Sequence, residues 1–82
     1  MILQMFTIYD IKAQAYHQPY FSPNQQTGQR AFRDAVNSPD SMLSKNPADF
    51  VLFECGEFDD STGEVRQLTK LGHLGSATDY KE

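Results

Sequence analysis

Tryptophan is absent from this 82-residue chain, cysteine occurs once and histidine twice. Each scarcity closes off a class of function. The single thiol, Cys55, excludes an internal disulfide, and its place inside an apolar run reads as a small buried hydrophobe rather than a nucleophile. One cysteine and two distant imidazoles, His17 and His73, leave zinc without a ligand set and suggest no Cys-His or Ser-His-Asp arrangement. A glycine-rich phosphate loop is also missing. No apolar run approaches the ~20 residues that a membrane span needs, and the start carries neither a basic n-region nor a cleavage pattern. The expectation is a cytoplasmic protein with no membrane contact, no cofactor and no metal.

Basic residues are outnumbered, seven against eleven acidic ones, for a formal net charge of −4. That balance argues against a generic phosphate-binding surface, although a local basic face can coexist with acidity elsewhere. The distribution is uneven. Asp49, Glu54, Glu57, Asp59 and Asp60 fall together with no base among them, whereas Lys12, Arg30 and Arg33 stand in the first half beside only Asp10 and Asp34.

With 39% hydrophobic residues and no tryptophan, the core rests on six Phe, four Tyr and a modest aliphatic set. A chain this short holds one domain, and it buries only about 60–65% of its unfolded surface. Its stability is expected to be marginal, for which a homodimer is a natural remedy.

Residues 50–68 carry the clearest structural signal. Two β-prone runs flank a turn from Asp59 to Gly63, where Asp59 can accept backbone N–H groups two residues on and Gly63 can take positive φ. Ahead of this hairpin, residues 1–9 read as a strand apolar on both faces and therefore central in its sheet. Asp10, Ile11 and Lys12 suggest a tight reversal into a second strand over 13–18, with pairing fading at Pro19. Ser22, Pro23 and Gln25 form a helix-start signature, with Ser22 as N-cap. Gly28, Ala31, Phe32, Ala35 and Val36 then give one apolar stripe. Gly28 on that stripe costs ~1 kcal/mol in helix propensity, which a close approach to the sheet would explain. A short helix is expected around 39–44 and a single turn over 47–49.

The expected fold is α+β: a four-stranded, largely antiparallel sheet in the order β-β-α-β-β, with one main helix on one face. The domain spans 1–71. Residues 72–82 offer little to bury and are expected as a flexible tail. The other sheet face is left for solvent, a ligand or a second subunit.

Asp59, Asp60, Ser61 and Glu64 bring calcium to mind, but the alternating spacing of an EF-hand loop is missing and the plain turn is the better reading. His17 reads as a half-exposed strand residue. One constellation mixes aromatic and basic groups: Tyr9, Lys12, Tyr16, His17, Tyr20, Phe21, Arg30 and Arg33. Aromatic faces stack unpaired bases and interleaved cations follow the backbone. The same residues also suit core packing and helix solvation, and on pattern alone that plainer reading is the stronger.

Four segments in order, Ile8-Tyr9-Asp10-Ile11-Lys12-Ala13, Gln18-Pro19-Tyr20-Phe21, Arg30-Ala31-Phe32 and Gly56-Glu57-Phe58-Asp59-Asp60-Ser61-Thr62-Gly63, resemble the small non-structural protein of gokushoviruses, single-stranded DNA phages of the microvirus group. The resemblance covers roughly residues 1–68. It implies a non-enzymatic protein made in the bacterial host cytoplasm and absent from the virion. Such a protein would turn replication from duplex synthesis toward single-stranded genomes for packaging. It also implies contact with viral DNA, the replication complex, or both, and supplies no catalytic residues. On this basis the expected activity is single-stranded DNA binding through Tyr9, Lys12, Tyr16, Tyr20, Arg30 and Arg33, with Tyr16 and Tyr20 stacking on bases and Lys12, Arg30 and Arg33 neutralising phosphates. The alternative is an adaptor whose acidic 49–60 stretch docks on the phage replication protein or procapsid without touching DNA.

Overall fold

The computed structural model describes residues 1–82. Its elements are β1 (Ile2–Asp10), β2 (Ala15–Tyr16), β3 (Tyr20–Ser22), α1 (Gln25–Val36), α2 (Met42–Lys45), a 3-10 turn (Pro47–Asp49), β4 (Phe50–Asp59), β5 (Val65–Ser76) and α3 (Ala77–Tyr80). β1 is central, as its two apolar faces predict. It pairs with β4 on one side and with β2 and β3 in succession on the other, and β5 lies beyond β4. Every pairing is antiparallel.

The architecture is thus α+β with an antiparallel sheet, but it has five strands rather than four. Beside the main helix α1 and the short helix expected near 39–44, which forms as α2, it has a third helix, α3, where a tail was expected. The extra strand comes from Pro19. Without an N–H it cannot join the ladder, so the edge opposite β1 breaks into two pieces. β2 pairs Tyr16 with Tyr9, and β3 resumes with Tyr20 opposite Phe6. The reversal before β2 is also longer than the sequence suggested. Asp10 Oδ1 accepts the N–H groups of Lys12 and Ala13 at 3.0 and 3.1 Å, and Gln14 takes φ 55°.

Pairing of Ser22 with Gln4 removes Ser22 from the role of helix cap. Asn24 caps instead, its Oδ1 accepting the Thr27 N–H at 2.8 Å, so Pro23 precedes the cap. Gly28, Phe32 and Val36 form the buried stripe of α1, while Ala31 is exposed. The close approach inferred for Gly28 is present: a Cβ there would overlap three carbons of the Phe6 ring.

Residues 72–82, read as a loose tail, are part of the packed fold. β5 runs on to Ser76, pairing Gly75 with Leu52 and Ser76 with Val51. Ala77 and Tyr80 then join Phe6, Phe32, Val36, Phe50 and Leu52 in the core. The Tyr80 hydroxyl donates to the Leu74 carbonyl at 2.8 Å, and its ring meets Phe32 edge-on at 5.0 Å. Asn37 Nδ2 donates to the Tyr80 carbonyl at 3.0 Å. The glycine and serine content encodes a strand-to-helix corner rather than slack chain. Gly75 sits at φ 125°, and a Cβ there would press on the Tyr80 ring at 3.2 Å.

The β4–β5 hairpin forms as expected. Asp59 Oδ1 accepts the Ser61 N–H at 2.9 Å, and Gly63, at φ 78°, donates its N–H to the Asp59 carbonyl. Within β4 the register with β1 skips one residue: Met5 faces Gly56 and Phe6 faces Glu54. Cys55 is therefore the extra residue of a bulge, its Sγ 3.6 Å from the Met5 carbonyl and its thiol pKa raised, chiefly by burial. No helix is long and apolar enough to cross a membrane.

Candidate functional site

Cross-strand partners in a sheet share a face, so the registers sort the paired strand residues. Phe6, Ile8, Tyr20, Phe50 and Leu52 look toward the helices and make the core. The opposite face carries Leu3, Met5, Thr7 and Tyr9 from β1, Tyr16 and Phe21 from the broken edge, Val51, Phe53 and Phe58 from β4, and Val65 and His73 from β5. All three helices join the core on the first face, and the second is open. Outside the irregular Leu68–Leu71 stretch of β5, no Asp, Glu, Lys or Arg occupies a position on it.

The bulge at Cys55 adds Phe58 to the aromatic residues of this face. Strand residues alternate with a period of two, so Phe53 and Phe58, five apart, belong on opposite sides of a regular strand. One additional residue between them resets the alternation and brings both to the open side.

The rings form two groups. In the first, Tyr9 and Tyr16 lie 4.7 Å apart, Tyr16 and Phe53 6.0 Å, and Phe53 and His73 5.6 Å, centroid to centroid. This row crosses the sheet from β2 to β5, a width of about 14 Å at ~4.8 Å per strand. Thr7 lies beneath it, buried, its hydroxyl donating to the His17 carbonyl at 2.9 Å. The small side chain lets the Tyr16 and Phe53 rings meet across β1. The second group, Phe21 with Phe58 at 5.6 Å, stands about 13 Å away along the strands. Tyr16 is 50% exposed and Phe21 47%, so these rings are accessible from solvent.

Of the six residues singled out from sequence, Tyr9 and Tyr16 share the open face, and Lys12 stands in the exposed turn at its end. Tyr20 does not. Its ring stacks on Phe6 at 5.4 Å, its hydroxyl donates to the Gly28 carbonyl at 2.8 Å, and burial pushes its pKa up to about 12. It is a strut between sheet and helix. Arg30 and Arg33 are exposed on α1, which covers the other face. The single aromatic and basic surface expected from sequence is therefore divided. His17 meets Phe50 edge-on at 5.8 Å, away from the row.

Sequence reasoning missed Phe53, Phe58 and His73. The strand pattern was visible, but the bulge that turns it was not. The acidic stretch is also resolved by register: Glu54, Glu57 and Asp59 lie on the helix side of β4, opposite Phe6, Gln4 and Ile2. Burial, helped by neighbouring Glu57, raises the Glu54 pKa, and the Ser61 N–H lowers that of Asp59. No three His, Cys, Asp or Glu side chains gather as a metal centre would require.

Fold and face together define a small α+β domain whose antiparallel sheet is sealed by helices on one side and open and aromatic on the other, with no charged residue on that open side outside the Leu68–Leu71 stretch. The Phage ORF5 protein family matches residues 3–80, and the chain belongs to that family. It is a small phage protein. No curated protein and no solved structure matches the chain.

Proposed function

We propose that this phage protein is non-enzymatic and binds single-stranded DNA on its open sheet face. Tyr9, Tyr16, Phe53 and His73 form the stacking row, and Lys12 flanks it. The observation that carries this reading is the run of four rings at 4.7–6.0 Å spacing on an uncovered face. Base–aromatic stacking contributes about 1–3 kcal/mol per base and tolerates any sequence. The resemblance to the gokushovirus non-structural protein supplies the setting: a microvirus-group phage, the bacterial cytoplasm, and the turn from duplex replication to single-stranded genomes for packaging. Tyr20 has no stacking role here, because its ring and hydroxyl are committed to Phe6 and Gly28.

Fluorescence anisotropy of a labelled single-stranded oligonucleotide, repeated with duplex DNA and at rising salt, tests the reading. Single strands bind in preference to duplex, and binding weakens with salt. Tyr16→Ala or Phe53→Ala lowers affinity by roughly 5- to 150-fold, the equivalent of one lost stack, whereas Tyr20→Phe leaves it unchanged. A protein that binds no oligonucleotide at low salt refutes the proposal.

The absence of charge on the open face favours one second reading. An apolar face with depleted charge is also what a protein partner buries, whether a second copy in a homodimer or the phage replication protein or procapsid. In that case the protein co-purifies with its partner after nuclease treatment, and alanine at Phe21 or Phe58 breaks the complex.

A further inference from the structure

A single strand carries a phosphate at every nucleotide, yet the open face offers it no guanidinium. The two that the sequence placed near the aromatic residues, Arg30 and Arg33, lie around the corner. They line a groove of about 520 Å³ between α1 and the β5–α3 corner, together with Gln29, Leu74 and Tyr80.

The groove meets the aromatic row at one point. His73, last ring of the row, and Leu74, which packs toward the core and lines the groove, are consecutive residues of β5. β5 is the edge strand, with nothing paired beyond it. Gly72 and Gly75 flank the pair.

The groove is built rather than incidental. The Tyr80 ring is fixed by Phe32 at 5.0 Å, by its hydroxyl donating to the Leu74 carbonyl, and by Gln29 Nε2 donating to that hydroxyl at 3.1 Å. Arg33 lies over this ring, its guanidinium carbon 5.5 Å from the centroid. A guanidinium stacked on an aromatic face keeps its in-plane N–H donors free. Neither Arg30 nor Arg33 has a carboxylate within ion-pair distance. Asp34 and Asp79 share the groove; Asp79 accepts the Ser76 N–H at 3.0 Å, and neither carboxylate forms an ion pair with the two arginines. Two cations with free, planar donors match a phosphodiester.

We propose that the groove holds backbone phosphates of a single strand whose bases stack on the open face, the strand crossing the sheet edge at His73 and Leu74. This rests on the open face being the base platform, and the experiment separates the two claims. Anisotropy is measured with labelled oligothymidines of about four and about twelve nucleotides, bracketing the short end and middle of the ~4–16 nucleotide range of such sites. The short oligomer covers only the row, and the long one reaches the groove.

In the paired variant Arg30→Ala with Arg33→Ala, the long oligomer's dependence of log K on log salt becomes shallower by about 1.4, two contacts at ~0.7 each. Over the decade from 1 M to 0.1 M salt that is roughly a 25-fold loss at the lower concentration. The short oligomer binds as before. Arg30→Lys with Arg33→Lys restores the slope, which a purely structural role for the arginines would not do. Tyr16→Ala weakens both lengths without changing the slope. If the alanine pair leaves the long oligomer's slope unchanged while Tyr16→Ala still weakens both, the groove is overturned and the platform stands. If neither length binds the unaltered protein, the platform falls and the groove with it.

Discussion

Gly28→Ala sets two magnitudes against each other. In an exposed helix the change stabilises by about 1 kcal/mol, because alanine is the best helix former and glycine among the worst. Here the new methyl would overlap three carbons of Phe6, a side chain with 0% exposure and no room to retreat. Phe6 is held from behind by Tyr20, stacked at 5.4 Å, and Tyr20 is tied through its hydroxyl to the Gly28 carbonyl. Any shift of α1 away from the sheet therefore strains that hydrogen bond as well. Overpacking of this kind costs about 1–3 kcal/mol, and with every exit blocked the upper end applies. The net is a destabilisation of about 2 kcal/mol, or roughly 8–16 °C in Tm for a domain of this size. Urea unfolding followed by far-UV circular dichroism reads it as a lower midpoint at unchanged slope. Adding Phe6→Leu, which makes room, brings the two substitutions into favourable coupling of about 1 kcal/mol or more. A midpoint that stays put or rises in Gly28→Ala would show that α1 does not seat on Phe6.

Two further outcomes follow from the same packing. Tyr80→Ala, or truncation at residue 71, removes a core side chain only 8% exposed and the contacts it makes to Leu74, Gln29 and Phe32. The substitution costs about 3–5 kcal/mol, and a 1–71 fragment that unfolds with the full-length midpoint would contradict it. Tyr20 gives the protein an alkaline limit. Its folded pKa of about 12 stands above its ordinary value of 10.0, so the unfolded chain gives up the proton first. The stability that this tyrosine contributes is fully present below pH 10 and declines as pH rises toward 12. Urea midpoints measured across that range fall less steeply in Tyr20→Phe, and equal slopes would show that the hydroxyl is not buried.

What the sequence made legible was decided locally. The β4–β5 turn follows from Asp59 and Gly63 alone, and the buried stripe of α1 from the spacing of Gly28, Phe32 and Val36. What it hid was decided by distant partners. Ser22 and Asn24 are both competent caps, and only the pairing of Ser22 with Gln4 hands the role to Asn24. Residues 72–82 looked empty because Leu74, Ala77 and Tyr80 are few. Each of them lands on the core because β5 delivers it there. Tyr20 and Phe21 are neighbours in sequence and lie on opposite faces of the sheet, one in the core and one in the open.

The candidate site was hidden in two places: His73 lay in residues read as a tail, and Phe58 owes its side of the sheet to the bulge at Cys55. Without it, strand alternation would keep Phe58 on the side of Phe50 and Leu52, and the open face would lose its second aromatic group. The bulge carries a cost: one unpaired residue and a local break in the ladder. A strand whose only task was to cover a helix would gain nothing from it, since Phe50 and Leu52 already fill the core side. Its benefit lies entirely on the uncovered face, where it gathers Phe53 and Phe58 with Tyr9, Tyr16 and Phe21. A protein with a small core has thereby placed five of its ten Phe and Tyr side chains where they add little to the helix-packed core. That allocation is what a binding platform requires, and it makes the open face, rather than the arginine-bearing helix, the first place to look for DNA.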